Sequence, residues 1–177
     1  MKRFIINFSL ITVAFLIYFL QENFFDWFTI AGVMPNLFVI YILFIGLFSG
    51  KNKGLAYGAG IGLMLDILVG DKIGIYAITL ALVGFVSGIF AKNFSKDSRI
   101  TIMIMVAALT VAFELIVYLL NFFFLDINLE IFIFLKILLI EVIYNIILTI
   151  ILYPLIKKFG YYIEHEYQED KILTRYF

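Results

Sequence analysis

Four ionisable side chains lie inside otherwise apolar runs: Asp66, Glu114, Lys136 and Glu141. Insertion of a charge at the centre of a membrane helix costs about 2.5–3.5 kcal/mol, so such groups face a bundle interior and find partners there. Carboxyl groups in that setting can hold helices together by hydrogen bonds, contact a partner's membrane segment, or carry protons. Glu141 and Asn145 are one helical turn apart, with Tyr144 beside them, and Glu114, Tyr118 and Asn121 make a second polar stripe. The spacing predicts a polar cluster of Asp66, Glu114, Glu141 and Asn145, with structural locking as the favoured role. Lys136 is close enough to a helix end to reach the interface with its ammonium. Other chemistry lacks its residues. There is no Cys, so disulfides, thiolate metal sites and cysteine nucleophiles are excluded. The single His, His165, sits in a charged tail, which leaves no support for a His-based metal site or triad. An aspartyl-protease pair would need two facing carboxylates, and nothing local to Asp66, Glu114 or Glu141 marks one. No enzymatic activity and no cofactor are expected.

Asp66 belongs to the stretch GLAYGAGIGLMLDILVG, residues 54–70. Gly54, Gly58, Gly62, Asp66 and Gly70 recur every four residues, which places them on one slowly drifting helix face. Each interior Gly costs an isolated helix about 0.8–1.0 kcal/mol against Ala. In a bilayer, small residues let two helix backbones approach closely. The next apolar run carries Ala77, Ala81, Gly84, Gly88 and Ala91 at near-helical spacing. These two segments are expected to form a tight hairpin, with Gly54, Gly58, Gly62, Gly70, Gly84 and Gly88 as packing positions. The glycines lack the Lys-Ser/Thr ending of a phosphate loop.

Composition extends the membrane reading to the whole chain. Hydrophobic residues make up 64% and charged residues 15% of the 177 residues, against about 45–50% and about 25% in soluble domains. Mean hydropathy is +1.10. The expected architecture is a single all-α transmembrane domain of six spans, near 4–20, 35–49, 54–70, 73–91, 100–125 and 131–155, with a polar tail at 157–177. The first span resembles a signal peptide, but no small-x-small site follows, so its retention is expected. Lys and Arg fix the orientation. With six spans, Lys2, Arg3, Lys51, Lys53, Lys92, Lys96, Arg99, Lys157, Lys158, Lys171 and Arg175 share one side, and only Lys72 lies on the other. The positive-inside rule then places both termini in the cytoplasm.

The chain resembles the bacterial rod-shape-determining MreD family over nearly its whole length. The resemblance is carried by Pro35-Asn36 opening the second span and by GAGIGLMLD at residues 58–66. Gly70, Gly74, Gly84 and the Glu141/Asn145 pair add to it. It implies a fold similar to the substrate-binding S-components of energy-coupling-factor transporters. It also implies a non-enzymatic subunit of the bacterial cell-elongation complex. The implied direct partner is an MreC-like single-span coiled-coil protein. An MreB-like filament, a RodA-like glycan polymerase and a penicillin-binding transpeptidase are implied indirectly. Homodimerisation stays open. The fold kinship also supports an alternative function, a small-molecule-binding subunit of such a transporter. The short or aromatic outer loops favour the first reading.

Overall fold

The computed structural model describes residues 2–69, 73–91, 96–125 and 130–173, without the side chains of 125 and 168–173. Gly70, Lys72, Lys92 and the side chains of Lys171 and Arg175 therefore lie outside what is described. Six α-helices follow in order: α1 (Lys2–Asn23), α2 (Leu37–Ser49), α3 (Lys51–Leu68), α4 (Ile75–Phe90), α5 (Arg99–Leu125) and α6 (Ile131–Leu173). A short 3-10 helix, Phe25–Phe28, separates α1 from α2. The chain then reverses over Ala31 and Gly32, both at positive φ, where Ile30 and Val33 exchange backbone hydrogen bonds of 3.0 Å.

α2 is the central helix. Its sequence, LFVIYILFIGLFS, has no polar face, and a helix apolar all round belongs in a core. All residues from Leu37 to Phe48 are buried except Tyr41, which is half-buried. Each of the other five α-helices contacts it. Asn36 starts the helix by accepting the Val39 N–H with its own side chain at 3.2 Å, and this satisfies one of the unpaired donors of the first turn.

α1 touches the rest through a narrow strip. Ile6, Leu10 and Ala14, one turn apart, are buried, while Phe4, Phe8, Phe15 and Phe19 are exposed. Helices α1, α5 and α6 are long and apolar enough to cross a membrane. α2 and α4 are shorter apolar helices, and α3 carries Lys51, Lys53 and Asp66 within its 18 residues.

α6 runs from the expected sixth span into the tail as one helix. Pro154 removes one backbone donor, yet the helix runs on to Leu173, 43 residues in all. Its C-terminal part packs across the ends of other helices. Gly160 lies against the Phe48 ring at the end of α2, and Tyr161 meets the same ring edge-on at 5.4 Å between centroids. Lys2 and Lys96 pair with Glu166 and Glu164 at 3.0 and 2.6 Å. The Tyr57 and Tyr167 hydroxyls both donate to Asn7, at 2.9 and 2.6 Å. Asp97 accepts from Lys157 at 2.6 Å and from the Tyr161 hydroxyl at 3.1 Å. The Lys157 bond first, and then the Tyr161 bond, hold the Asp97 carboxyl below the usual carboxylate range.

Candidate functional site

The glycines of α3 and α4 bring two backbones into direct contact. A methyl group built on Gly54 would overlap the Gly84 carbonyl, and one on Gly84 would overlap the Gly54 carbonyl. Gly58 faces the Leu80 carbonyl and Ala81 in the same way, Gly62 faces Tyr76 and Ala77, and Gly88 faces the Lys51 backbone. Gly60 breaks the four-residue register and opens onto empty space. Gly46 of α2, which spacing alone did not single out, completes the contact against Gly84 and the Ser87 hydroxyl. α2, α3 and α4 therefore meet at a three-way seam with almost no side chain between backbones.

Asp66 ends that seam. Its Oδ2 accepts the Gly74 N–H at 2.8 Å and the Ala77 N–H at 3.0 Å, and its Oδ1 accepts the Tyr76 N–H at 2.8 Å. These donors open α4, where unpaired N–H groups and the helix dipole favour a negative group. Gly74, at φ 118°, supplies the left-handed bend that turns the chain back toward Asp66. The carboxylate is 1% exposed, and its acceptor capacity is spent on backbone.

The other three predicted polar residues gather between α2, α5 and α6. Asn145, fully buried, accepts the Asn36 N–H on Oδ1 at 2.8 Å and donates from Nδ2 to the Thr110 hydroxyl at 3.0 Å. Glu141 lies one turn away and is 5% exposed. The Asn145–Thr110 bond and the Tyr118–Phe134 ring contact at 4.4 Å fix the register of antiparallel α5 and α6, and that register sets Glu114 opposite Glu141. Asp66 shares none of these bonds. Tyr76, on the first turn of α4, donates its N–H to Asp66 and stacks on Phe113, the neighbour of Glu114, at 6.2 Å between centroids. Lys136 is exposed. Sequence reading missed Thr110 and the bonding role of Asn36. A hydroxyl in a helix and an Asn after Pro carry no signal of a partner more than thirty residues away.

A cavity of about 80 Å³ adjoins the cluster, lined in part by Gln21, Glu22, Asn36 and Tyr76. Among the described residues, no group of three or more His, Cys, Asp or Glu side chains could hold a metal ion.

An all-α fold with several membrane-length apolar helices, a backbone-packed glycine seam and a buried amide–carboxyl cluster belongs to the class of helical membrane proteins. The family described as rod shape-determining protein MreD matches residues 2–163. The chain belongs to this family, and so has a role in rod-shape determination and a place in the bacterial membrane. No curated protein and no solved structure matches it.

Proposed function

We propose that the chain is a non-enzymatic scaffold subunit of the cell-elongation complex. It crosses the plasma membrane six times with both termini in the cytoplasm and binds an MreC-like single-span coiled-coil protein. Through that contact it helps organise lateral peptidoglycan synthesis by a RodA-like polymerase and a penicillin-binding transpeptidase, alongside an MreB-like filament. The observation that carries this reading is the family match across residues 2–163. The architecture supports it: a glycine seam makes a stiff wall of α2–α4, and α1, α5 and α6 expose long apolar faces to lipid or to another helix. A vitamin-binding role is less well supported. The cavity beside Asn36 and Tyr76, about 80 Å³, is far smaller than the roughly 300–1,000 Å³ of sites for drug-sized ligands.

The test is a pull-down of the tagged protein from its native membrane in mild detergent, with mass spectrometry of the bound proteins. Recovery of a single-span coiled-coil protein with cell-wall synthases is expected. Recovery of ATP-binding-cassette ATPases instead would overturn the scaffold reading.

A further inference from the structure

We propose that Glu114 and Glu141 form a site for one small monovalent cation, a proton or a sodium ion. The pair lies in an apolar bundle, and among the described residues neither carboxyl has a basic partner. Glu141 is buried and Glu114 half-buried, and two facing carboxylates without a counter-charge repel each other and lose hydration, at a cost to folding. One positive charge between them removes most of it.

The hydrogen bonds around the pair define which atoms would hold that charge. Asn36 has its Oδ1 committed to the Val39 N–H, and Asn145 has its Oδ1 committed to the Asn36 N–H. With both amide oxygens committed, and Asn145 Nδ2 already donating to Thr110, these side chains can offer a carboxylate only N–H donors and no coordinating oxygen. The Oε1 atom of Glu141 is sealed from solvent and receives no hydrogen bond. That orphaned acceptor, on a side chain 5% exposed, is a second observation that points to a cation. A divalent ion fits poorly. Calcium takes 6–8 oxygen ligands, and the amide oxygens here are already used.

Access is from the end of the bundle where α1 finishes and α2 begins. The adjoining cavity is lined by Asn36, which is bonded to Asn145, by Phe113, the neighbour of Glu114, and by Tyr76, Gln21 and Glu22. Its volume of about 80 Å³ holds a few waters, each taking about 30 Å³. The opposite end is covered by Gly160 and Tyr161 packed on Phe48. Around the pair, α3 contributes Asp66, already bound to backbone, α4 contributes Tyr76, α2 contributes Asn36, and α1 contributes Glu22 at the cavity. The cation would join α5 to α6 and, through Asn36, to the start of α2.

The site is independent of partner binding, so the pull-down and the following test fail separately. The full chain in lipid nanodiscs is melted in sodium chloride and in choline chloride at equal ionic strength, and its protonated-carboxyl infrared absorption is recorded at neutral pH. A melting temperature about 5 °C higher in saturating sodium, lost in Glu114→Gln, identifies sodium. Equal melting in both salts, with a protonated-carboxyl band that disappears in Glu114→Gln and in Glu141→Gln, identifies a proton. Either Gln can donate to the remaining carboxyl, which keeps the helices joined. A wild-type protein with neither a sodium-specific shift nor a protonated-carboxyl band overturns the proposal without reference to any variant. Persistence of the signal in both variants does the same.

Discussion

The three hydrogen bonds that Asp66 accepts all come from the first turn of α4 and the residue before it. Water cannot substitute for them at 1% exposure. Removing the carboxylate leaves several buried N–H groups unpaired, each costing about 1–3 kcal/mol, and deletes a favourable charge at a helix N-terminus. Asp66→Ala should lower stability by about 2–4 kcal/mol, read as an earlier transition in denaturant unfolding in mixed micelles. A variant as stable as wild type would show that the cap does not hold the hairpin. The residue was conspicuous in the sequence, as a carboxylate among seven apolar neighbours. Its role was not, because its partners are backbone N–H groups and those leave no trace in residue identity. The same limit hid Asn36. Asn145, by contrast, stood out beside Glu141, and the structure places both, with Glu114, in one cluster separate from Asp66.

The glycine spacing of α3 marked the helix and the face it presents, since a four-residue repeat can follow only one side. The structure adds which glycines bear contact. Gly58 lies on the backbone of Leu80 and Ala81, and Gly60 faces open space. A Cβ at position 58 cannot be relieved by rotating a side chain, because the obstacles are main-chain atoms. Gly58→Ala should therefore push α3 from α4 and cost about 1–3 kcal/mol. Gly60→Ala should be neutral or stabilise by up to about 1 kcal/mol, the helix-propensity gain alone. Thermal unfolding of the two variants side by side separates seam packing from a general intolerance of α3 to added methyl groups. Equal losses would reject the seam. Two other element properties were harder to read. The short run of α2 looked like a marginal span, and its central position follows from an apolar surface on every side, a pattern equally suited to lipid. The expected sixth span ends near 155, and α6 continues past it with the Gly160, Tyr161 and Lys157 contacts with Phe48 and Asp97 holding the following turns in place.

Orientation in the membrane is a property of the entire chain, set by where its cations gather. Lys2, Lys51, Lys53, Lys96, Arg99 and Lys157 belong to the helix ends and connections at one end of the bundle. There the C-terminal part of α6 pairs with them through Glu164, Glu166 and the Asp97–Lys157 contact. The other end carries the aromatic 3-10 helix with Trp27, 86% exposed, as suits a headgroup-level segment. The positive end should face the cytoplasm. Because the chain contains no Cys, single-cysteine variants report position without background. Asn23→Cys, at the end of α1, should react with a membrane-impermeant maleimide added to intact spheroplasts. Lys158→Cys should react only after the membrane is opened. Both positions are exposed in the fold, so lack of labelling at either reflects the membrane and not burial in protein. The reverse pattern would place the cavity beside Glu141 on the cytoplasmic side. Labelling of both residues in intact spheroplasts would put residues 23 and 158 on one side, and the six-span topology would fall.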